Sequence, residues 1–241
     1  MIRVGAATHV GHHRSGNEDA AIAAYPLFLV ADGMGGHAAG EVASAIAVAT
    51  MSELGTAEPD LTTLVAQVVE ANTRIRAGAR APGRWGMGTT LTGVVALADG
   101  SWAVVNVGDS RVLLSRGGEL RQLTTDHSEV QDLVHLGVLA PDEAAVHPMR
   151  HVITRSLGAE DDVEVDHTRV HLLPGDRVLV CSDGLTDEVS ADEIYWVLDA
   201  ADGPQEAADA LVTAALTHGG RDNVTVVVLD VDNDTGAPIP G

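Results

Sequence analysis

The hydrophobic positions of this chain fall mostly into short runs that alternate with polar residues or are rich in β-branched side chains. Both patterns predict strands, because successive side chains of a strand point to opposite faces. Short separators such as Asp-Gly and Gly-Gly between several of these runs favour hairpins. The predicted strands cover residues 2–10, 20–25, 27–31, 89–97, 101–107, 111–116, 120–124, 163–170, 176–181 and 223–231.

A second pattern, with apolar residues three, four or seven positions apart, predicts two pairs of helices. In one of these segments Leu64, Val68 and Ile75 share a helix face, and Gly78 stands near its end. The paired helices are predicted at 41–54 and 61–79, and at 190–200 and 205–217. A shorter helix is predicted at 128–137.

The order of these elements predicts the architecture. Strands follow strands and helices come in pairs, whereas a parallel sheet needs strands and helices that alternate. We therefore expect an α+β fold of two packed, mostly antiparallel β-sheets flanked by pairs of helices, an α-β-β-α sandwich. With 241 residues, 45% of them hydrophobic, the chain is expected to form a single domain over residues 1–231, followed by a flexible tail at 232–241.

The charge is lopsided, with 35 acidic residues against 14 basic ones, all of them arginine, and a net charge of −21. A nucleic-acid partner needs a basic surface and an anionic membrane would repel this chain, so neither is expected. The sequence has no apolar run of 18 residues and no hydrophobic leader, and we expect a cytoplasmic monomer. The single cysteine, Cys181, excludes a disulfide framework.

Four aspartates lie at the ends of predicted strands. Asp32, Asp109 and Asp183 each follow a strand, and Asp222 precedes the last one. If the first three strands point the same way and the last runs antiparallel, all four carboxylates meet at one edge of the core. Because like charges repel, such a cluster is expected to contain cations, and oxygen ligands suit Mg²⁺ or Mn²⁺. Asp99, between two strands, is by contrast expected to form a hairpin turn.

Two other phosphate-binding interpretations are disfavoured. The segment 33–38 fits a G-x-G-x-x-A dinucleotide fingerprint, but Asp32 would repel the pyrophosphate, and a helix follows where a second parallel strand is needed. A cysteine phosphatase needs an arginine six residues after its nucleophile. The residue six after Cys181 is Asp187, so this interpretation fails.

Five short motifs follow one another along residues 3–231. They are Arg14-x-x-Asn17-Glu18-Asp19, Asp32-Gly33-Met34-Gly35-Gly36, Gly108-Asp109-Ser110-Arg111, Ser182-Asp183-Gly184-x-x-Asp187 and Arg221-Asp222-Asn223. The series resembles that of the metal-dependent serine/threonine protein phosphatases (type 2C, or PPM) in their bacterial form. The resemblance implies the same sandwich of sheets and helix pairs, and an enzyme that hydrolyses phosphoserine and phosphothreonine on proteins.

The resemblance also implies a centre of two Mn²⁺ or Mg²⁺ ions. Asp32 would bridge the ions and Gly33 would offer its carbonyl, while Asp183 and Asp222, the latter next to Asn223, would bind the first ion. Two cations lower the pKa of a bridging water, so that hydroxide forms at neutral pH and attacks phosphorus without a covalent intermediate.

Further motif residues are expected around these ions by the same resemblance. Glu18 and Asp19 would hold water molecules around the ions or act as outer ligands. A third, weaker ion would use Asp109 and Asp183, with Asp187 as an additional ligand.

Arg14 is the candidate for phosphate binding, since a guanidinium can grip two phosphoryl oxygens in a fork. Its alternative role is a surface salt bridge with Glu18, four residues further on. The general acid is less defined, because animal members of the family have a histidine directly after the Asp-Gly pair. Here that residue is Met34. His37 is a candidate for this role. The alternatives are that His37 is only a residue at a helix start, where the dipole disfavours its charged form, and that metal-bound water donates the proton.

Residues 128–158 match the flap of the family in position but not in sequence. A mobile flap beside the metals would be a protein-binding surface, and a disordered insert is the alternative. The expected partners are phosphorylated proteins, including Ser/Thr kinases. Two other functions stay open: a metal-binding module without turnover, and a phosphatase of small phosphorylated metabolites.

Overall fold

The computed structural model describes residues 1–35 and 39–232. Its strands are Ile2–His9 (β1), Ala20–Ala24 (β2), Leu27–Ala31 (β3), Gly33–Met34 (β4), Gly88–Thr89 (β5), Leu91–Ala96 (β6), Trp102–Val107 (β7), Arg111–Arg116 (β8), Glu119–Gln122 (β9), Asp166–Val170 (β10), Arg177–Cys181 (β11) and Val224–Val231 (β12). Its helices are Ala39–Ser52 (α1), Leu61–Gly78 (α2), Glu129–His135 (α3), Pro141–Ala145 (α4), Asp183–Thr186 (α5), Ala191–Ala200 (α6) and Pro204–His218 (α7).

Two five-stranded sheets form the centre of the molecule. One has the strand order β1-β12-β11-β8-β9 and the other β10-β7-β6-β3-β2, while β4 and β5 pair separately. All strand pairs within the described ranges are antiparallel. The predicted α+β class with antiparallel sheets is confirmed.

The strand β3 shows how the layers are built. Its side chains alternate: Phe28 and Val30 join the cluster between the two sheets, whereas Leu27, Leu29 and Ala31 join the cluster under α1 and α2. The interior strand β12 divides its side chains in the same way between the other sheet and α7. Because both faces of such strands are covered, their sequences are almost continuously hydrophobic.

Small residues allow the outer helices to lie close to the sheets. Ala43 and Ala47 of α1, and Ala208 and Ala215 of α7, are fully buried. The helix ends are set locally: the Asp60 side chain, for example, accepts a 2.7 Å hydrogen bond from the first turn of α2. None of the helices in the described part of the chain has the length and apolarity needed to cross a bilayer.

Four elements were not predicted from the sequence: β4, β5, α4 and α5. Each is two to five residues long, which is too short to show a period of hydrophobic positions. Strand β10 also starts at Asp166 instead of at residue 163. The predicted tail from residue 233 onwards lies outside the described residues.

The segment 128–158 contains α3 and α4 and returns to its starting point. Ser128 pairs with Ile153 through a β-bridge, and the Glu129 amide donates to the Val152 carbonyl at 2.9 Å. Leu157 is fully buried in the cluster under α1 and α2. The segment is thus tied to the sandwich at both ends, and its role as a flap stays a prediction.

Candidate metal centre

The candidate site lies where several strands of the two sheets end. Asp32 follows β3 and Asp109 follows β7, and both strands are antiparallel to β6, so they point the same way. Asp183 follows β11, while Asp222 precedes the antiparallel β12. Charges on Asp109 and Asp183 both act on Asp32, and that on Asp222 acts on Asp183. The structure thus brings the four strand-end carboxylates together.

The glycines after Asp32 and Asp183 allow this close approach. A Cβ atom on Gly33 would lie 2.3 Å from the Gly40 carbonyl oxygen, and one on Gly184 would lie 2.0 Å from the Asn223 carbonyl oxygen. Both distances are too short for any side chain, so the Asp-Gly pairs serve backbone packing here and not a hairpin turn.

Thr90 positions two of the acidic loops, although nothing in the sequence singled it out. Its hydroxyl oxygen accepts a 2.9 Å bond from the Asp32 amide, and its own amide donates to the Asp32 carbonyl at 2.9 Å. The same hydroxyl lies 2.8 Å from Ser110 Oγ, and Ser110 follows Asp109. A polar pair, Thr89-Thr90, at the start of an apolar strand was the only trace of this role in the sequence.

Asn223 fixes the loop that carries Arg14. Its Oδ1 accepts from the Glu18 amide at 2.8 Å, and its Nδ2 donates to the carbonyls of Val10 and Gly16 at 2.8 and 3.0 Å. The predicted site residue Asn223 therefore holds the loop in place by hydrogen bonds to its backbone.

The protonation of the carboxyl groups is strongly perturbed. Burial, together with repulsion from Asp183 and Asp222, raises the pKa of Asp19 to about 7 despite hydrogen bonds that oppose it. Burial and the neighbouring acids raise the pKa of Asp183 to about 6 and those of Asp32 and Asp109 well above their usual range. Such a cluster is unfavourable in its ionised form unless cations balance it.

Two unpartnered oxygens provide a test of whether the cluster fits divalent cations. Oδ1 of Asp19 and Oδ1 of Asp109 are shielded from solvent and have no hydrogen-bond partner among the described residues. A buried polar atom without a partner is costly, and a cation would supply one. The donors are carboxylate oxygens, the ligands that Mg²⁺ and Mn²⁺ prefer. The residues present fit these ions.

His151 joins the site from the segment 128–158. One ligand atom each from His151, Asp183 and Asp187 lies within 4.8 Å of the others, and His151 Nδ1 lies 3.1 Å from Asp187 Oδ2. The sequence placed Asp187 near a third ion but did not indicate His151. Nothing distinguishes this histidine from others in a polar, irregular stretch, and the fold alone brings it to the carboxylates.

These groups line a cleft of about 520 Å³. The predicted residues Arg14, Glu18, Asp32, Gly33, Asp183, Asp187, Asp222 and Asn223 all lie in its wall, together with Met34, Arg150 and His151. A groove of about 560 Å³ around Trp196 is of similar size. Its walls are mostly apolar and belong to α6 and α7, so the acidic cleft is the candidate site.

Arg14 is partly exposed in this cleft, and its partner is Asp222. Arg14 Nη2 donates to Asp222 Oδ2 at 2.5 Å. Its salt-bridge partner is therefore Asp222 and not Glu18, which was the partner in the alternative role. The remaining guanidinium N–H groups can face a ligand. His37 lies outside the described residues.

Cys181 is fully buried, and burial raises the pKa of its thiol to about 12. A thiol in this state is not a nucleophile at neutral pH, in line with the rejection of a cysteine phosphatase.

A sheet sandwich with a carboxylate cluster suited to divalent cations and an adjacent arginine defines a candidate phosphate-hydrolysing metal centre. The family model "Protein phosphatase 2C" matches residues 11–211 of the chain. The chain belongs to this family, as the five motifs predicted.

Relatives and solved structures agree with this assignment. The serine/threonine protein phosphatase PstP of Mycobacterium tuberculosis is 44% identical over 247 residues, which cover 100% of this chain and 47% of that relative. The chain therefore spans about half the length of PstP. A crystal structure of the Mycobacterium tuberculosis phosphatase PstP/Ppp has a TM-score of 0.91 at 42% identity, over 96% of this chain and 99% of that one. A structure of the PstP catalytic domain in complex with two manganese ions has a TM-score of 0.88 at 42% identity, with the same coverage of both chains.

Proposed function

We propose that this chain hydrolyses phosphoserine and phosphothreonine on proteins with the help of two Mn²⁺ or Mg²⁺ ions and a third, weaker one. The observation that carries the proposal is the cluster of shielded carboxyl groups with raised pKa values, including Asp19, Asp32, Asp109 and Asp183. It lies beside a cleft in a chain whose relatives are named serine/threonine phosphatases.

The motif series suggests the cation ligands, and the position of most of them in the cleft wall supports the choice. Asp32, Asp183 and Asp222, with the carbonyl of Gly33, would hold two ions, and Asp109 would share a third with Asp183. When bound, the ions would lower the pKa of a water molecule between them and so supply the nucleophile. Asp19 is held by a 2.9 Å bond from Ser182 Oγ to its Oδ2, which leaves its other oxygen free for the cluster.

Arg14 would bind the phosphoryl group. Asp222 holds its guanidinium at the edge of the cleft, and the free N–H groups can donate to two phosphoryl oxygens as negative charge develops on them. Six carboxylates and three arginines line the cleft. A phosphate dianion would be repelled by this wall without cations, so substrate binding is expected to depend on metal as well.

The leaving seryl or threonyl oxygen needs a proton. Met34 lines the cleft but has no proton to give. His37 therefore remains a predicted donor, and a water molecule that the ions would hold is the alternative source.

The segment 128–158 is proposed as the surface that recognises phosphorylated proteins, Ser/Thr kinases among them, in a signalling role in the cytoplasm. Val138 and Val146 of this segment are largely exposed, at 64% and 78%. Arg150 and His151 of the same segment form part of the cleft wall. A phosphatase of small metabolites would have no use for such a surface beside its site.

A panel of substrates tests the proposal. With Mn²⁺ present, phosphate release is measured from phosphoserine, phosphothreonine and phosphotyrosine peptides, from sugar phosphates and nucleotides, and from an aryl phosphate. We expect the highest kcat/KM for the phosphoserine and phosphothreonine peptides. A preference for a metabolite would favour the metabolite phosphatase, and no release from any substrate would favour a metal-binding module without turnover.

A further inference from the structure

His127 is a buried histidine outside the cleft that the proposed chemistry does not use. Only 7% of it is exposed, and it lies in the loop between β9 and α3, one residue before the segment 128–158. A buried imidazole needs partners for both ring nitrogens. The partners of His127 belong to two different parts of the site.

The first partner is the turn that carries Asp109. The Gly108 amide donates to His127 Nδ1 at 3.0 Å, and the His127 amide donates to the Gly108 carbonyl at 3.0 Å. Gly108 has a φ of +117°, and a Cβ atom there would lie 2.5 Å from Thr90 Cγ2. Gly108 is therefore tightly packed and has a left-handed backbone conformation. His127 forms hydrogen bonds with both its amide and its carbonyl group.

The second partner is Asp166 at the start of β10. Because Nδ1 accepts a bond, the imidazole proton belongs on Nε2, which lies 3.2 Å from Asp166 Oδ2. Arg155 Nη1 donates to the other oxygen, Asp166 Oδ1, at 2.6 Å. Burial opposes ionisation of Asp166, but the bonds from His127 and Arg155 outweigh it and hold the pKa of that carboxyl below its usual value.

Both ends of the segment 128–158 meet at this histidine. The Thr154 amide donates to the His127 carbonyl at 2.8 Å, next to Arg155 and three residues after His151, which reaches Asp187. A single residue thus contacts the Asp109 turn on one side and the returning end of the segment on the other.

We infer that His127 is a positioning residue that holds the Asp109 turn in place for the weaker cation site and ties this turn to the base of the segment 128–158. The inference rests on the proposed function, since it concerns the third ion. His127 acts on Asp109 through the hydrogen bond that the Gly108 amide donates to Nδ1. Asp109 directly follows Gly108, and the buried Oδ1 of Asp109 has no partner among the described residues. Residues that orient ligands in this way are worth about 10- to 100-fold in metal affinity.

Two substitutions separate the two bonds. His127→Asn places an amide oxygen close to the position of Nδ1 and keeps an acceptor for the Gly108 amide. His127→Gln places an amide nitrogen close to the position of Nε2 and keeps a donor to Asp166, but it removes the acceptor. His127→Ala removes both the acceptor and the donor. The matched control is His167→Ala, because His167 is an exposed histidine of β10.

The measurement is calorimetric titration of the metal-free protein with Mn²⁺, without substrate. We expect the weakest Mn²⁺ site to be lost in Asp109→Ala and weakened about tenfold or more in His127→Gln and His127→Ala. It should stay within about threefold of wild type in His127→Asn and be unchanged in His167→Ala, with the tighter sites unaffected throughout. As a second readout, kcat on an aryl phosphate should fall in His127→Gln and recover at high Mn²⁺.

Melting temperatures in EDTA identify any loss of folding. Equal Mn²⁺ affinities for His127→Asn and His127→Gln would overturn the inference, because a purely structural histidine would not distinguish the two bonds. A wild-type titration without a weaker site would also overturn it but would leave a two-ion phosphatase intact. If the wild type binds Mn²⁺ but cleaves no phosphopeptide, the proposed function fails, and the Asn and Gln comparison still decides the role of His127.

Discussion

At the scale of single residues, the same dipeptide serves opposite purposes in this chain. Asp99-Gly100 forms the expected turn: nothing lies within 4 Å of a Cβ added to Gly100, and hydrogen bonds from Ser101 and Arg169 lower the pKa of Asp99 to about 2. At Asp183 the following glycine is instead packed against backbone, and burial raises the pKa of the carboxyl to about 6. The surroundings, not the dipeptide, decide whether an aspartate is a turn residue or part of the cluster.

The raised pKa of Asp19 predicts how stability depends on pH. The folded state keeps the Asp19 proton up to about pH 7, whereas the unfolded chain releases it near pH 4. Between these values the folded state binds more protons, so the stability of the metal-free protein falls as the pH rises from about 4 to about 7. Asp19→Asn removes this part of the loss and should raise the free energy of unfolding at pH 8 by about 2 to 4 kcal/mol relative to wild type.

Urea unfolding in EDTA at pH 5 and pH 8 checks this prediction. The difference between Asp19→Asn and wild type should be about 1 kcal/mol at pH 5 and about 2 to 4 kcal/mol at pH 8. The same difference at both values would mean that Asp19 is not protonated in the folded protein. A destabilised variant at pH 8 would mean that its ionised form is favourable without metal.

Arg14 provides a second prediction at this scale. Arg14→Ala removes a donor to phosphate but no proposed metal ligand, so kcat/KM should fall about 10- to 100-fold, mainly through KM, while bound Mn²⁺ stays at the wild-type level. Arg14→Lys keeps the charge without the fork and should fall between the two. Steady-state kinetics and metal analysis of the same samples measure both quantities. Loss of metal in Arg14→Ala would show that the arginine supports the ions and not the substrate.

At the scale of secondary-structure elements, the strands and paired helices were predictable because each buries a face with a clear period. Short elements were not: α5 is a single turn of four residues, Asp183–Thr186, that begins with the candidate ligand itself. The meeting of the four carboxylates at one edge was predictable for a similar reason, since each of them stands next to a buried apolar strand.

The residues that the sequence did not indicate act across long distances in the chain. Thr90 contacts Asp32 and Ser110. His151 contacts Asp187. His127 contacts Gly108 and Asp166. Each is an ordinary polar residue in its local sequence. Only the packing of the two sheets and the return of the segment 128–158 give it a partner.

The segment 128–158 predicts a split between protein substrates and small ones. Val138 and Val146 are exposed there, while the proposed ligands on strand ends lie outside it. Replacing Val138 and Val146 by serine should lower kcat/KM for a phosphoprotein about tenfold, because apolar contact with the substrate is lost. The rate on an aryl phosphate should change by less than about twofold.

Leu173→Ser is the matched control, because Leu173 is half exposed and lies beyond the end of β10 that is remote from Asp109. It should alter neither rate. A parallel fall for both substrates in the double variant would show that the segment supports the metal site, and the proposed division between recognition surface and catalytic centre would be wrong.

At the scale of the whole molecule, one charge imbalance connects composition, fold and function. The chain carries a net charge of −21, and the two sheets concentrate part of it at one edge, where burial makes it costly. Cations that bind only the folded state would stabilise the protein by mass action. With the proposed cations bound, the stability of the sandwich would therefore depend on metal.

The most direct test of this account is phosphate release from a phosphothreonine peptide as a function of Mn²⁺, for wild type and Asp32→Asn. The charges of Asp19, Asp109 and Asp183 all act on Asp32, and its replacement by an isosteric amide removes a charge but little volume. We expect no release in EDTA, recovery of the wild type with Mn²⁺, and a loss of at least about 100-fold in Asp32→Asn at every Mn²⁺ concentration. Full activity of the wild type in EDTA, or wild-type activity of Asp32→Asn, would contradict a metal-dependent phosphatase at this site.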